Sequence, residues 1–400
     1  VEKIDLSKVR LQRLGFFSDV KIDNARVPGT TDQVDLNVAV TEQASGSISA
    51  SLGYSQNAGL VFGANVSQSN FLGTGNRVSV GLNRSDVRNS YNLSFLDPYF
   101  TPEGISRGYN IYLRQTKLDN LNISNYATDS LGANISFSYP IDETETISFS
   151  AGIDQTKINL GVNPSEAVYK FTNENGNNVM TYTGTASWGR NTLNRGTFPT
   201  AGASQSVAME MGLPGSDISF YKLTYNAQRY FPVRNEWVGR GYARLGYGDA
   251  LSGEGLPFYR NFFGGGFGSV RGYRDYSMGP RSQRLSLSNP AVLLPTAEAI
   301  GGNVQVEGGL ELIFPVPFIE DKSKIRTLAF FDVGNVFDTN SKSVNGLDFK
   351  PSLGNLRYSV GVGMSWITPI GPLTFAIAKP LNAKENDDTQ AFQFSLGQGF

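Results

Sequence analysis

From Ser45 to the end of the chain, apolar and polar side chains take turns. Leu60, Phe62, Ala64 and Val66 alternate with Gly63, Asn65 and Ser67, and Val78, Val80 and Leu82 with Ser79, Gly81 and Asn83. Leu131, Ala133, Ile135, Phe137 and Tyr139 are interleaved with Gly132, Asn134, Ser136 and Ser138, and the same alternation runs through Tyr358–Trp366. A period of two is that of a β-strand with one apolar and one polar face. Its recurrence over so much chain excludes helical architectures. A membrane-spanning helix needs roughly 18 or more consecutive apolar residues, and runs such as Ala291–Pro295 break off almost at once.

Such strands fit either a soluble all-β protein or a barrel embedded in lipid. Charged residues are 17% of the chain, below the roughly 25% usual for soluble domains. Glycine is abundant at 45 residues and aromatics reach 12%. The positions opposite the apolar ones are mostly small and polar, which suits a lumen holding water or an inserted loop better than a dry core. An open sheet edge would leave backbone groups unsatisfied in lipid, so the sheet must close. The expectation is an all-β fold, an antiparallel transmembrane β-barrel over residues 43–400. About 22 residues per strand and connection gives roughly sixteen strands of the usual 9–11 residues. Their cores begin near Gly46, Leu60, Arg77, Asn89, Ser106, Asp129, Thr146, Met180, Gly202, Ser219, Trp237, Asn303, Ile325, Leu356, Leu373 and Thr389. Tight connections are expected at Asn57-Ala58, Asp142-Glu143 and Gly371-Pro372, with longer insertions near Gly161–Asn178 and over residues 251–302.

Composition also narrows the chemistry. The net charge of -1 argues against nucleic acid held by bulk electrostatics. The chain has no Cys and no His, so disulfides, thiolate metal sites and histidine-based acid–base catalysis are all unavailable. No carboxylate constellation stands out, so neither an enzyme nor a metal or cofactor site is expected.

Residues 1–42 read differently. Ile4, Val9, Leu11 and Leu14 fit a short amphipathic helix stopped at Gly15. Strand-like stretches at Val20–Val27 and Val34–Val40 flank a Pro28-Gly29 turn. A helix and a hairpin are too small to stand alone, and read as the tail of a larger, truncated soluble domain. No signal peptide precedes them; the start at Val1, already inside a helical pattern, fits a fragment or a mature chain.

The insertion at 251–302 holds the densest motif, Phe258-Tyr259-Arg260-Asn261-Phe262-Phe263-Gly264-Gly265-Gly266-Phe267-Gly268-Ser269-Val270-Arg271-Gly272-Tyr273. Disordered segments are poor in aromatics, so this loop is expected to pack, folding back into the barrel. A lumenal Arg would then need carboxylate partners. Strand parity offers two: Glu311 between Leu310 and Leu312, and Asp332 between Phe331 and Val333. Parity alone leaves two readings open, Arg271 fastened to Glu311 and Asp332, or Arg271 solvated in an extracellular loop. The Gly264–Gly268 pattern lacks the strand-then-helix setting of a phosphate loop.

At this point the chain resembles the BamA family, the central subunits of the outer-membrane β-barrel assembly machinery. Val270-Arg271-Gly272-Tyr273 matches the hallmark of that family's sixth extracellular loop. Pro257–Phe262, Met278–Arg281, Arg195–Thr200, Trp237–Arg240, Gly246–Asp249, Leu310–Pro315 and Phe331–Gly334 support it. The four-residue motif alone is shared with related secretion transporters. The resemblance spans essentially the whole chain and implies several things. The Arg271 position lies in the lumen beside Glu311 and Asp332, favouring the fastened reading. Residues 1–42 are the end of the last periplasmic POTRA domain. Family members often carry a Cys pair in this loop; here there is none, which leaves open how the loop is braced.

The last strand, Ala391–Phe400, sets Phe392, Phe394, Leu396 and Phe400 on one face, and resembles the signal by which outer-membrane barrels are themselves recognised. Gly397 interrupts it, marking either a kink with weak pairing or merely a small residue in a closing strand. With weak pairing, the junction with the first strand (near Ser47–Gln56) becomes a lateral seam able to template an incoming strand. The function implied is insertion and folding of β-barrel proteins in the bacterial outer membrane, without covalent catalysis. The implied partners are unfolded outer-membrane clients, accessory lipoproteins, the lipid bilayer and periplasmic chaperones. A two-partner-secretion transporter, a diffusion porin and a barrel enzyme are the competing readings.

Overall fold

The computed structural model describes residues 2–118, 124–252, 255–286, 289–316, 324–340, 349–368 and 371–397. Helix α1 (Glu2–Arg13) ends where Gly15 turns the chain with φ +79°, the left-handed conformation that commonly terminates helices. Strands β1 (Phe17–Arg26) and β2 (Val34–Glu42) form a separate antiparallel hairpin. Val20 of β1 is fully buried, whereas β2 is exposed along its length.

The barrel then begins. Its first seven strands are β3 (Gly46–Ser55), β4 (Gly59–Gln68), β5 (Arg77–Arg84), β6 (Arg88–Asp97), β7 (Ser106–Lys117), β8 (Tyr126–Pro140) and β9 (Glu145–Leu160). Helix α2 (Glu166–Asn175) interrupts the ladder before β10 (Asn178–Asn191), β11 (Gly202–Gly212), β12 (Phe220–Arg234) and β13 (Trp237–Ala250). A second hairpin, β14 (Arg281–Ser286) and β15 (Asn289–Ala299), lies within the long insertion. The barrel resumes with β16 (Val304–Phe314), β17 (Ile325–Phe337), β18 (Arg357–Thr368), β19 (Gly371–Pro380) and β20 (Phe392–Leu396). Sixteen strands close on themselves, each antiparallel to its neighbours, with β20 meeting β3. Every core expected from alternation starts within three residues of an observed strand.

The two faces of each strand differ as the pleat requires. Leu60, Phe62 and Val66 point outward from β4, and Leu310 and Leu312 from β16, where they meet lipid. Glu307 and Glu311 alternate with them and are buried inside.

One local expectation is corrected and another gains detail. Gly371-Pro372 opens β19, pairing with Thr368 and Ile367, rather than forming the connection; Pro is tolerated near the first residue of a strand. The insertion after β9 contains α2, with Val168 buried and Gly176 (φ +79°) at its end. That helix helps cover the barrel mouth opposite the N-terminal hairpin. Val168 packs with Tyr126, Ile158, Val179, Phe258 and Ala299 in an apolar cluster.

The junction of β20 and β3 is unlike the others. β3 pairs with β4 from Gly46↔Gln68 to Ser55↔Gly59. Across the junction, among the described residues, only Ser55↔Ser395 and Tyr54↔Leu396 are in register.

Candidate functional site

The insertion after β13 folds into the lumen, and its position follows from the wall it meets. On β13 the residues Arg240, Tyr242 and Arg244 share the inner face by parity. Register sets Arg240 beside Glu311 and Tyr242 beside Gly309, and then Glu311 beside Phe330 and Gly309 beside Asp332. Two adjacent lumenal rows result: Arg240–Glu311–Phe330 and Tyr242–Gly309–Asp332. Gly309 leaves a hole between two large polar groups. A Cβ there would lie 2.7 Å from the Tyr242 ring and 2.8 Å from Asp332 Oδ1. The hole lets the Tyr242 hydroxyl donate to Asp332 Oδ1 at 2.9 Å.

Arg271 comes down onto these rows from the loop. Its Nε donates to Asp332 Oδ2 and its Nη2 to Asp332 Oδ1, both at 2.7 Å. Its backbone N–H also donates to Asp332 Oδ2 at 3.1 Å, and Nη2 lies 2.8 Å from Glu311 Oε1. The guanidinium sits 3.6 Å from the centre of the Phe330 ring. Glu311 accepts a further bond from Arg240 Nη1 at 2.9 Å, and Arg240 in turn donates to Gln228. Two cations and two anions alternate, with Asp332 fully buried. Buried charges persist only when paired and hydrogen-bonded this completely.

The rest of the motif packs around that fastening. Val270, Tyr273 and Met278 form a buried cluster. Gly272 has φ +91°, and a Cβ there would stand 3.1 Å from the Ala378 methyl of β19. Both facts require glycine. Further along, Phe392 points outward from β20, and Phe394 stacks on Tyr54 of β3 with ring centres 5.7 Å apart. Gly397 follows β20 with φ +77°; its missing Cβ admits Leu52 O at 2.6 Å. Phe400 lies outside the described residues.

A second anchor was not singled out from the sequence. Arg260 reaches a neighbouring stretch of the wall, with Nη2 3.3 Å from Asp154 Oδ1 on β9 and Nη1 3.2 Å from Glu210 Oε1 on β11. Lys222 of β12 donates to the Arg260 carbonyl at 2.7 Å, and the hydroxyls of Tyr112 and Thr156 donate to Asp154. The signal was present, since Asp154 alternates with Ile153 and Gln155, but nothing local says which loop cation meets it.

The loop is also braced internally without cysteine. Phe262 and Gly302 exchange backbone bonds at 2.8 and 2.9 Å, and Met278 N–H donates to Gly264 O. Ser269 Oγ donates to Glu307 on β16 and accepts from Gly265 N–H. Outside the barrel, burial raises the Glu298 carboxyl of β15 above its ordinary value. The Asn125 N–H and the Arg284 guanidinium work in the opposite direction. Among the described residues, no group of three or more His, Cys, Asp or Glu side chains is arranged to hold a metal ion.

A closed sixteen-strand barrel with a long loop salt-bridged inside it is a transmembrane β-barrel with an occupied lumen. Residues 70–400 match the Omp85 superfamily domain, and the chain belongs to that superfamily. It is 34% identical to the outer membrane protein assembly factor BamA of Neisseria meningitidis serogroup B, over 100% of this chain and 52% of that protein. A crystal structure of BamA from Haemophilus ducreyi lacking POTRA domains 1-3 is similar with a TM-score of 0.84. The identity there is 32%, covering 98% of this chain and 77% of that one. CdiB from Acinetobacter baumannii, at 14% identity and TM-score 0.60 over 96% of this chain and 66% of its own, shares the fold. The chain spans about half the length of the curated BamA relatives that it matches end to end. Family and fold together place it in the bacterial outer membrane.

Proposed function

We propose that this chain is the membrane portion of an outer-membrane protein assembly factor, which inserts and folds client β-barrels through the junction of β20 and β3. The observation that carries the reading is the short pairing there. Among the described residues, Gly46–Ser51 of β3 has no registered partner on that side, while the Gly397 backbone comes alongside Leu52 and Gly53. Unpaired backbone N–H and C=O groups are what an incoming strand needs for β-augmentation. The step involves no bond-making in the client, so no catalytic side chain is required. Helix α1 with its hairpin is read as the end of the last POTRA domain. Unfolded outer-membrane proteins are the clients, delivered with accessory lipoproteins and periplasmic chaperones. Arg271, Glu311 and Asp332 keep the loop inside, so the barrel holds its shape while the seam yields.

The chain has no native cysteine, so a Ser55→Cys/Ser395→Cys pair reports on the seam without background. Once oxidised, that pair should stop insertion of a porin client, and reduction should restore it. Undiminished insertion with the crosslink formed would remove the seam from the mechanism. Loss of a single secreted partner, with porins unaffected, would favour a secretion transporter instead.

A further inference from the structure

The fastened loop and the last strand touch each other, and one side chain makes two of the hydrogen bonds between them. Gln393 lies on the inner face of β20, 2% exposed. Its Nε2 donates to Tyr273 O at 2.9 Å, and its Oε1 accepts the Gly272 N–H at 3.3 Å. One amide thus satisfies a donor and an acceptor of the loop backbone, immediately beside Arg271. The segment leading into β20 adds to this. Gln390 N–H donates to Gly272 O and Arg274 N–H to Asp388 O, both at 2.8 Å, and Tyr273 pairs with Thr389 as an isolated antiparallel bridge. The motif and the segment leading into β20 therefore form a small extra ladder inside the barrel wall.

On the seam side, among the described residues, two registered pairs hold β20. The register that pairs Ser395 with Ser55 carries Phe394 past the end of β3. There the Gln56 side chain, not a strand, accepts the Phe394 N–H at 3.2 Å and a bond from Gln390 Nε2 at 2.9 Å. The upper part of β20 is thus fixed by β19 on one flank and by the loop from within.

We propose that Gln393 is the positioning residue through which the Val270–Tyr273 motif sets the last strand, so that loop fastening at Asp332 and seam closure are one coupled equilibrium. This rests on the seam reading above. Arg271 does not reach the seam itself; it places the Gly272 and Tyr273 backbone where Gln393 can bind it. Releasing the loop withdraws those bonds, and β20 loses its inner support. Coupling of this kind shows as non-additivity between two sites that share an element.

The test is the oxidation rate of the Ser55→Cys/Ser395→Cys pair in outer membranes, measured in four backgrounds: parent, Gln393→Leu, Arg271→Ala, and both. Gln393→Leu should slow crosslinking about tenfold, the factor that about 1.4 kcal/mol of lost hydrogen bonding produces. Arg271→Ala should slow it in the parent but add little once Gln393 is gone. An unchanged or faster rate in Gln393→Leu, or effects that simply multiply, overturns the coupling. A purely structural role would lower the melting midpoint without that non-additivity. If Gln393→Leu fails to reach the membrane, Gln393→Asn, whose amide is one methylene too short to hold both loop bonds, must still slow the crosslink, and an unchanged rate there overturns the proposal. Rates speak to the coupling alone, whereas client insertion by the locked barrel speaks to the seam reading, so either can fail without the other.

Discussion

The wall formed by β13, β16 and β17 and the seam between β20 and β3 are built from the same alternating sequence, yet they are held very differently. In the wall, β16 and β17 stay in register from Val304↔Phe337 to Phe314↔Thr327, and a buried network of alternating charges ties the inserted loop across it. At the seam, among the described residues, two registered pairs, the close approach of Gly397 to Leu52 and Gly53, one aromatic stack and a glutamine side chain do the joining. The strand pattern therefore determines that a barrel forms but not how strongly each junction closes. Strength depends on what reaches the inner face from outside the sheet, and here that is one loop.

Removing the fastening cation tests the strong side of this contrast. Arg271→Ala leaves Asp332 buried without its principal cation, and breaking such a pair typically costs about 3–5 kcal/mol. The melting midpoint of the folded barrel in detergent should fall sharply, and loop residues should become protease-sensitive. A midpoint within the range of neutral surface substitutions would show that the wall owes little to this network. A smaller loss is expected from Arg260→Met. Asp154 keeps the Tyr112 and Thr156 hydroxyls, so the change removes about 1–3 kcal/mol and loosens the loop at its base. If it matched Arg271→Ala, the two anchors would be equivalent rather than ranked. The smallest effect should come from the seam. Gln56→Ala removes an acceptor worth about 0.5–1.5 kcal/mol. It should change the thiol crosslinking rate across β20 and β3 while scarcely moving the melting midpoint. A large drop in midpoint would mean that the seam is a structural junction like the rest.

Much of this fold was legible because lipid outside and a polar interior impose a period of two on every strand. That is why cores anticipated near Arg77, Ser106, Trp237 or Ile325 coincide with observed strand starts. Glu311 and Asp332 were placed on the inner face by parity, since a charge on the lipid face is costly. Their meeting with Arg271 was not derivable from parity, because it depends on how a fifty-residue insertion returns to the barrel. The contributions of Arg240 and Tyr242 depend on register, which alternation does not set. Helix α2 escaped notice because it is only ten residues long and lies inside an insertion, with Val168 buried only once the barrel mouth is assembled. The role of Gln393 needed both the fold of the loop and the register of β20, neither of which leaves a local mark.

The hole at Gly309 makes the fastening intolerant in one direction only. What the row demands at that point is vacancy, so no neighbour can compensate for an added carbon by growing. Trimming Tyr242 to Phe would delete the bond that the room exists to permit without widening it, because the ring carbon 2.7 Å from that point stays. The latch can therefore lose atoms by degrees, but it rejects the first one gained.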